Sequence, residues 1–229
     1  MGEARTLRCS GRLERELRHA GYLRVAGADE AGRGSLFGPV YAGAVILSPE
    51  RPVRGLRDSK QLTPERREEL AACIRKQAVS WAVAAVDARV IDRINIYQAS
   101  RLAMKRALEQ LTPPADHLLL DAVTVDLAAP QRAIIHGDAL CQSIAAASIL
   151  AKVARDQALA EWDRIYPRYG LARHKGYATE EHLQALRRYG PTLEHRFSYE
   201  PVQAATPRWL WWLCEQRRAD GRENRWLWR

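Results

Sequence analysis

Residues 25–34, Val-Ala-Gly-Ala-Asp-Glu-Ala-Gly-Arg-Gly, constrain the fold more than any other stretch of this 229-residue chain. An apolar run starts a strand, reaches the adjacent carboxylates of Asp29 and Glu30, and breaks at once into Gly32-Arg33-Gly34. Successive strand side chains point to opposite faces, so two neighbouring acids share a site only where a strand ends or bulges. Glycine supplies that freedom, because it tolerates positive φ and lets backbone approach a ligand closely. Two carboxylates beside one cation fit a metal site that handles phosphate. A polar strand end closed by an ion pair fits the same residues equally well.

The apolar pattern around this stretch predicts a short leading helix over 12–23, with Leu13, Leu17 and Ala20 on one face, then a strand over 25–29. A second, small-residue strand follows over 42–47 and a third over 79–86. Between them Thr63-Pro64-Glu65 reads as a helix start: a capping hydroxyl, proline in the first turn, and an acid at the positive dipole end. Ile91, Ile94 and Ile96 surround a turn, and a helix over 95–111 stops at Thr112-Pro113-Pro114. Short strands over 117–121 and 132–136 precede the longest helix, 143–165. A basic loop over 170–177, a helix over 180–189 and an irregular segment over 191–202 follow. Three successive strands pair antiparallel, and two later ones add in parallel through helical crossovers. The expectation is an α/β fold: a mixed five-stranded sheet flanked by helices, with a helical C-terminal part.

The net charge is +9, carried mainly by arginine, whose planar fork suits phosphate oxygens. A basic surface of this size favours a polyanionic partner, nucleic acid foremost. No window has the run of about eighteen apolar residues that a spanning helix needs. The first eighteen residues are charged and lack an apolar signal core, so a cytoplasmic location and no membrane partner are expected. Cys9, Cys73, Cys141 and Cys214 are too widely spaced for a zinc motif and read as ordinary thiols.

Three of the expected strand ends carry acids: Asp29 with Glu30, Asp121, and Asp138 just past the fifth. Neighbouring strand termini in such sheets form the crevice where ligands collect. Four acids gathered there repel one another, and Mg²⁺ or Mn²⁺ relieves this by taking carboxylate oxygen while leaving places for water and phosphate. Two such ions about 4 Å apart can activate a water and stabilise the leaving oxygen of a phosphodiester. The competing reading makes Asp121 a strand end and Asp138 a cap for the long helix.

These motifs occur in one order: residues 27–34, Asp58-Ser59-Lys60, Gly137-Asp138, the helical run 145–156 (AAASILAKVARD), and His174-Lys175-Gly176-Tyr177. Together they resemble type 2 ribonuclease H (ribonuclease HII) of bacteria, over roughly residues 24–202. Only 28 residues precede Asp29, whereas the related type 3 enzymes carry a long extra N-terminal domain. The resemblance implies an RNase H-like fold, with residues 1–205 as the catalytic domain and 206–229 as a Trp/Arg-rich tail. It implies an endonuclease that cuts the RNA strand of RNA–DNA hybrids and nicks duplex DNA 5′ of single ribonucleotides. Products would carry 3′-hydroxyl and 5′-phosphate ends, as in primer removal and ribonucleotide excision repair. By motif match Asp29, Glu30, Asp121 and Asp138 form the catalytic, Mg²⁺- or Mn²⁺-binding set. Gly32, Arg33 and Gly34 read the ribose 2′-hydroxyl through their backbone, and Tyr177 packs beside that sugar. A monomer is expected.

Elementary chemistry agrees, since the 2′-hydroxyl is the group that separates RNA from DNA at one position, and glycine lets backbone reach it. Tyr177 also fits an amphipathic core position. Ser59 and Lys60 read as phosphate contacts or as a solvated loop; Lys152 and Arg155 as a basic stripe facing DNA; His174 and Lys175 as mobile positive charge. Two positions depart from the family pattern. Ser35 replaces a usual proline, which would loosen its loop, and Ala122 follows Asp121 where glycine is frequent. The first tail cluster, Trp209, Trp211 and Trp212, reads as packed on the body, and Trp226-Leu227-Trp228-Arg229 is open between packing and nucleic-acid contact. A non-catalytic hybrid-binding module and another two-metal nuclease of this fold are the rival functions. The intact acid set weighs against the first, and Gly-Arg-Gly with its tyrosine against the second.

Overall fold

The computed structural model describes residues 9–211 and shows one mixed sheet of order β3-β2-β1-β4-β5. Its central strand β1 (Val25–Ala31) pairs antiparallel with β2 (Val40–Ile46), and β2 pairs antiparallel with β3 (Ser80–Val86). On its other side β1 runs parallel to β4 (His117–Asp121), and β4 parallel to β5 (Gln131–Ile134). This is the expected topology. Strand β1 runs two residues beyond Asp29, and the fifth strand ends early because His136 turns the chain at φ 57°.

Two of the helices start at side-chain caps carried by the sequence. Thr63 accepts from Arg66 N at 3.3 Å and opens α2 (Pro64–Gln77) after the short helix α1 (Arg12–His19). Asp87 accepts from Val90 N at 2.8 Å and opens α3 (Ala88–Glu109). The chain breaks within α3 at Asn95 (φ 65°), whose side chain accepts from Gln98 N and restarts the helix. Residues 88–94, expected as a turn, are therefore helical too: Asp87 is a cap as well as a strand end. The turn α4 (Gly137–Leu140) leads into α5 (Gln142–Ile165).

Each sheet face has its own helical cover. Ala26, Ala28, Ala42, Ala44, Leu118 and Leu120 pack against the Ala99, Ala103, Met104 and Ala107 side of α3. On the other face α5 lies on β1 and β2 with its backbone in direct contact. A Cβ on Gly27 would stand 2.1 Å from Ser143 C, and one on Gly43 would stand 2.3 Å from Ala147 O. Ala145, Ala146 and Ala147 bring the rest of the helix equally close, and α2 closes this layer with Leu70, Ala71 and Ile74.

Beyond the sheet, α5 continues into a C-terminal lobe with α6 (Leu171–His174), α7 (Glu180–Tyr189) and α8 (Glu200–Ala204), around Phe37, Leu159, Tyr169, Leu186 and Phe197. At its centre three histidines form a relay. Thr192 N donates to His195 Nδ1 at 2.9 Å, so His195 Nε2–H donates to His182 Nε2 at 3.2 Å, and His182 Nδ1–H donates to Tyr177 O at 3.0 Å. His174 stacks on His182 at 4.5 Å, takes Gly176 N on Nδ1 and donates from Nε2 to Tyr169 O. This pattern needs all three rings neutral. At the end of the described chain Leu210 packs against the lobe, but Trp209 is 70% exposed, so the packing expected of that tryptophan is not found. Trp212 and the 226–229 cluster lie outside the described residues.

Two outcomes are expected. The Gly43→Ala substitution has no space to relax into, because its neighbour is helix backbone, and should lower unfolding free energy by about 3 kcal/mol in urea titrations. Burial pulls His182 down to about 4 and His195 well below the ordinary imidazole value. Both folded-state values lie below the unfolded value near 6.5. The stability from neutral burial is thus complete above pH 6.5 and lost as pH falls toward 4. Two extra protons on the unfolded chain give a slope of up to about 2.7 kcal/mol per pH unit in that window. Denaturation between pH 7 and 4.5 should show it, and His182→Gln should halve the slope.

Candidate active site

Register brings the acids together. Ala28 lies opposite Leu120 in the parallel β1–β4 pair, so the next residues, Asp29 and Asp121, neighbour each other at the strand ends. Asp29 lies opposite Gly43 on the α5 face, is 5% exposed, accepts a hydrogen bond from Glu30 N (2.7 Å), and has the Ser148 hydroxyl beside it lowering its pKa. Burial raises its pKa well above the carboxylate range, and Glu30 and Asp121 add to this. Glu30 leaves the opposite face of β1. Burial raises it too, against the pull of Arg33, whose Nη1 stands 3.4 Å away. Asp121 Oδ1 accepts from Gly137 N at 2.8 Å, which ties the end of β4 to the turn carrying Asp138. Burial, Asp58 and Asp121 raise Asp138. Neither α4 nor α5 has a side-chain cap, so Asp138 is not the helix cap that competed with its functional reading.

Asp121 therefore stands close enough to Asp29, Glu30 and Asp138 to raise each of them, although the four acids come from three separate segments. Among the described residues no three His, Cys, Asp or Glu side chains form a ready-made ion cage. Glu30 Oε2 is buried without a hydrogen-bond partner. A hard divalent ion that keeps water and substrate oxygen among its ligands fits such a set: it supplies the missing partner and offsets the repulsion.

Lys60 faces these acids. Burial pulls its ammonium down, but Asp58, Asp138, Asp29 and Asp121 outweigh burial and hold it above its ordinary value. Its 3-10 turn (Ser59–Gln61) is capped by Asp58, which accepts from Lys60 N at 2.9 Å. Arg67 Nη1 fixes the same turn through Ser59 O and Leu62 O. Ser59 is not surface-bound as a phosphate contact requires: it is 3% exposed and bonds Ser148 Oγ at 3.0 Å. Lys152 is also committed inward, to Asp156 at 2.6 Å.

The Gly-Arg-Gly segment lies against the C-terminal lobe. Gly32 has φ 97°, and a Cβ there would stand 2.1 Å from Arg155 Nε. Arg155 is 1% exposed, donates to Lys175 O at 2.8 Å, and lies 5.3 Å from the Tyr177 ring centroid. It is a strut beneath the site; the basic stripe expected of it is absent. Tyr177 is 38% exposed beside Gly34, which removes the core alternative. Lys175 adopts φ 52°, with its carbonyl taken by Arg155. His174 is a 9% exposed member of the histidine relay with both ring nitrogens engaged, so it is not the mobile charge expected. Ser35 tightens its loop where loosening was expected: its hydroxyl lies between Phe37 O (2.8 Å) and Gly176 O (3.1 Å), which share its one proton, and Ser35 bridges Tyr177. Ala122 takes up the αL turn itself, at φ 53°. Sequence reasoning assigned no role to Ser148, His182, His195, Arg196 or Tyr199; Ser148, Arg196 and Tyr199 reach partners far away in the chain.

A family model described as ribonuclease HII matches residues 26–202. The ribonuclease HII of Solibacter usitatus is 64% identical over 197 residues, covering 86% of each chain. That of Geobacillus kaustophilus is 55% identical over 192 residues, 84% of this chain and 74% of the other. Among solved structures, ribonuclease H2 from Pyrococcus horikoshii superposes with a TM-score of 0.69 at 26% identity, covering 86% of this chain and all of that one. The chain therefore belongs to the ribonuclease HII family and is a ribonuclease H.

Proposed function

We propose that this ribonuclease H hydrolyses the RNA strand of RNA–DNA hybrids endonucleolytically and also cuts duplex DNA 5′ of a single embedded ribonucleotide, leaving 3′-hydroxyl and 5′-phosphate ends. The observation that carries this reading is the adjacency of two different devices on one strand end. Asp29 and Glu30 stand in a set of mutually repelling acids, and within five residues Gly34 borders the half-exposed ring of Tyr177.

Asp29, Glu30, Asp121 and Asp138 would hold Mg²⁺ or Mn²⁺. Bound there, two such ions supply an activated water and charge neutralisation at the leaving oxygen. The protein's own part is to keep these acids gathered. Ser148 and Glu30 N orient Asp29, Gly137 N orients Asp121, and Lys60 contributes positive charge where a phosphate approaches. Gly32, Arg33 and Gly34 present backbone to the sugar, where a side chain would obstruct the minor groove. The Tyr177 ring tests the sugar from the other side, held through its own carbonyl by His182. Lys175 remains a candidate backbone-charge contact. Ser59, Lys152 and His174 act from behind, on the elements that carry the contacts. The physiological setting that fits is removal of RNA primers and of misincorporated ribonucleotides by a monomer in the cytoplasm. Among the described residues no helix is long and apolar enough to cross a membrane.

Asp29→Asn and Asp138→Asn should each lose several kcal/mol of transition-state stabilisation, roughly a thousandfold or more in cleavage rate with Mg²⁺. Affinity for a duplex carrying one ribonucleotide should stay within a few fold. Wild-type cutting by either variant would end the reading of this acid set. Cleavage of an all-DNA duplex at the same rate as the ribonucleotide-containing one would end the reading of residues 32–34.

A further inference from the structure

Residues 33–38 are stitched to residues 194–199 by a dense set of bonds. Arg196 N donates to Leu36 O (2.8 Å) and Gly38 N to Glu194 O (2.8 Å), with Phe37 bridging His195. Arg196 is fully buried, and its fork adds two more: Nε to Gly38 O at 3.0 Å and Nη1 to Arg33 O at 2.8 Å. The Tyr199 hydroxyl donates to the same Arg33 O at 2.5 Å and accepts from Arg196 Nη1 at 3.2 Å. The Asp92 carboxylate anchors this segment by accepting from Phe197 N and Ser198 N. Burial pulls the Arg196 guanidinium down to about 10, which leaves it charged near neutral pH.

Two donors thus hold one carbonyl, and that carbonyl belongs to a peptide flanked by glycines. Gly32 and Gly34 carry no Cβ to resist rotation, so the intervening peptide planes would turn easily if left free. A trans peptide sets its C=O and the following N–H antiparallel. With Arg33 C=O drawn inward to Arg196 and Tyr199, the Gly34 N–H points the opposite way. Gly34 is exposed, and a Cβ on it would lie 3.9 Å from Tyr177 Cε1, so this N–H borders the same opening as the ring.

We infer that Arg196 and Tyr199 are positioning residues for sugar selection: they clamp the Arg33 carbonyl from inside the protein and so aim the Gly34 N–H outward as a donor to the ribose 2′-hydroxyl. This rests on the reading of residues 32–34 given above. Neither side chain touches substrate. Their contribution is to remove the rotational freedom that the two glycines introduce.

The test compares two affinities of the full chain, measured by fluorescence anisotropy in a chelator so that nothing is cut. One duplex carries a single ribonucleotide; the other is all DNA. Tyr199→Phe removes one donor and little volume. It should shrink the preference for the ribonucleotide duplex about fivefold, or to unity, the equilibrium worth of one hydrogen bond. Affinity for the all-DNA duplex should stay within twofold, and the melting temperature near wild type. Arg196→Lys keeps charge but lacks the fork to reach Arg33 O and Gly38 O together, and should act in the same direction. An unchanged preference in Tyr199→Phe overturns the inference, as does a parallel fall in both affinities with a lowered melting temperature. A wild-type protein without any preference instead removes the reading of residues 32–34, and the clamp with it.

Discussion

Direct backbone contact between α5 and the sheet is the constraint on which the rest of the structure depends. Gly27 and Gly43 are the two positions that allow it, one on each of two adjacent strands and each with helix backbone where a Cβ would be. Gly43 is also the cross-strand partner of Asp29. The close approach that packs the core is therefore the same approach that carries Ser148 to the Asp29 carboxylate. A longer spacing filled by larger side chains would bury as much apolar surface but would leave that buried acid without its hydroxyl. An unsatisfied buried acceptor costs about 1–3 kcal/mol, more when charged. Helix packing and site geometry are one feature here.

The acid cluster is a local conflict that the fold tolerates. Burial raises Asp29, Glu30 and Asp138, and the acids add to one another's cost. Lys60 and Arg33 offset part of it from opposite sides. Strained backbone gathers nearby: Ala122 follows Asp121, His136 precedes Gly137, and Lys175 precedes Gly176, all with positive φ. Each such residue costs of order 1 kcal/mol and persists only where surrounding bonds over-determine it. The bonds are present at all three: Ala122 N to Ile134 O, Gly137 N to Asp121, and Lys175 O to Arg155.

What the sequence disclosed, and what it withheld, follows from range. Thr63-Pro64 acts within four residues and short apolar runs mark β1 to β5, so that helix start and the sheet topology could be read from the chain, whereas Asp87 read only as a strand end. The acids could be found because strand ends converge in this class of sheet. Tyr177 and Gly-Arg-Gly needed a family resemblance, since no local rule connects positions more than 140 residues apart. Burial of polar groups was the real blind spot. Ser59, His174 and Arg155 have surface-type side chains in loops or basic runs, and composition placed them outside. Their partners are Ser148, Tyr169 O with Gly176 N, and Lys175 O. No periodicity marks a residue whose burial is stabilised by a single polar partner brought to it by the fold.

Arg33 joins the two halves of the site, and magnitudes decide how. Its guanidinium reaches back to Glu30 across 3.4 Å with almost half of its side chain exposed, an arrangement generally worth under about 1 kcal/mol. Its carbonyl takes two donors, one from a buried guanidinium, and charge-assisted bonds of that kind contribute about 1.5–3 kcal/mol. The backbone contact is the stronger tie, so the turn is registered to the C-terminal lobe first and to the acids second. Tyr177 is registered to the same lobe through His182. The Gly-Arg-Gly turn and Tyr177, the two surfaces proposed to read the sugar, therefore share one frame, while the carboxylates rest on α5 and the sheet. Only two residues, Ala31 and Gly32, separate Glu30 from Arg33, so a displaced lobe would drag the end of β1 with it. On the proposed reading of residues 32–34, sugar fit and acid placement would be coupled by chain length, without any long-range network.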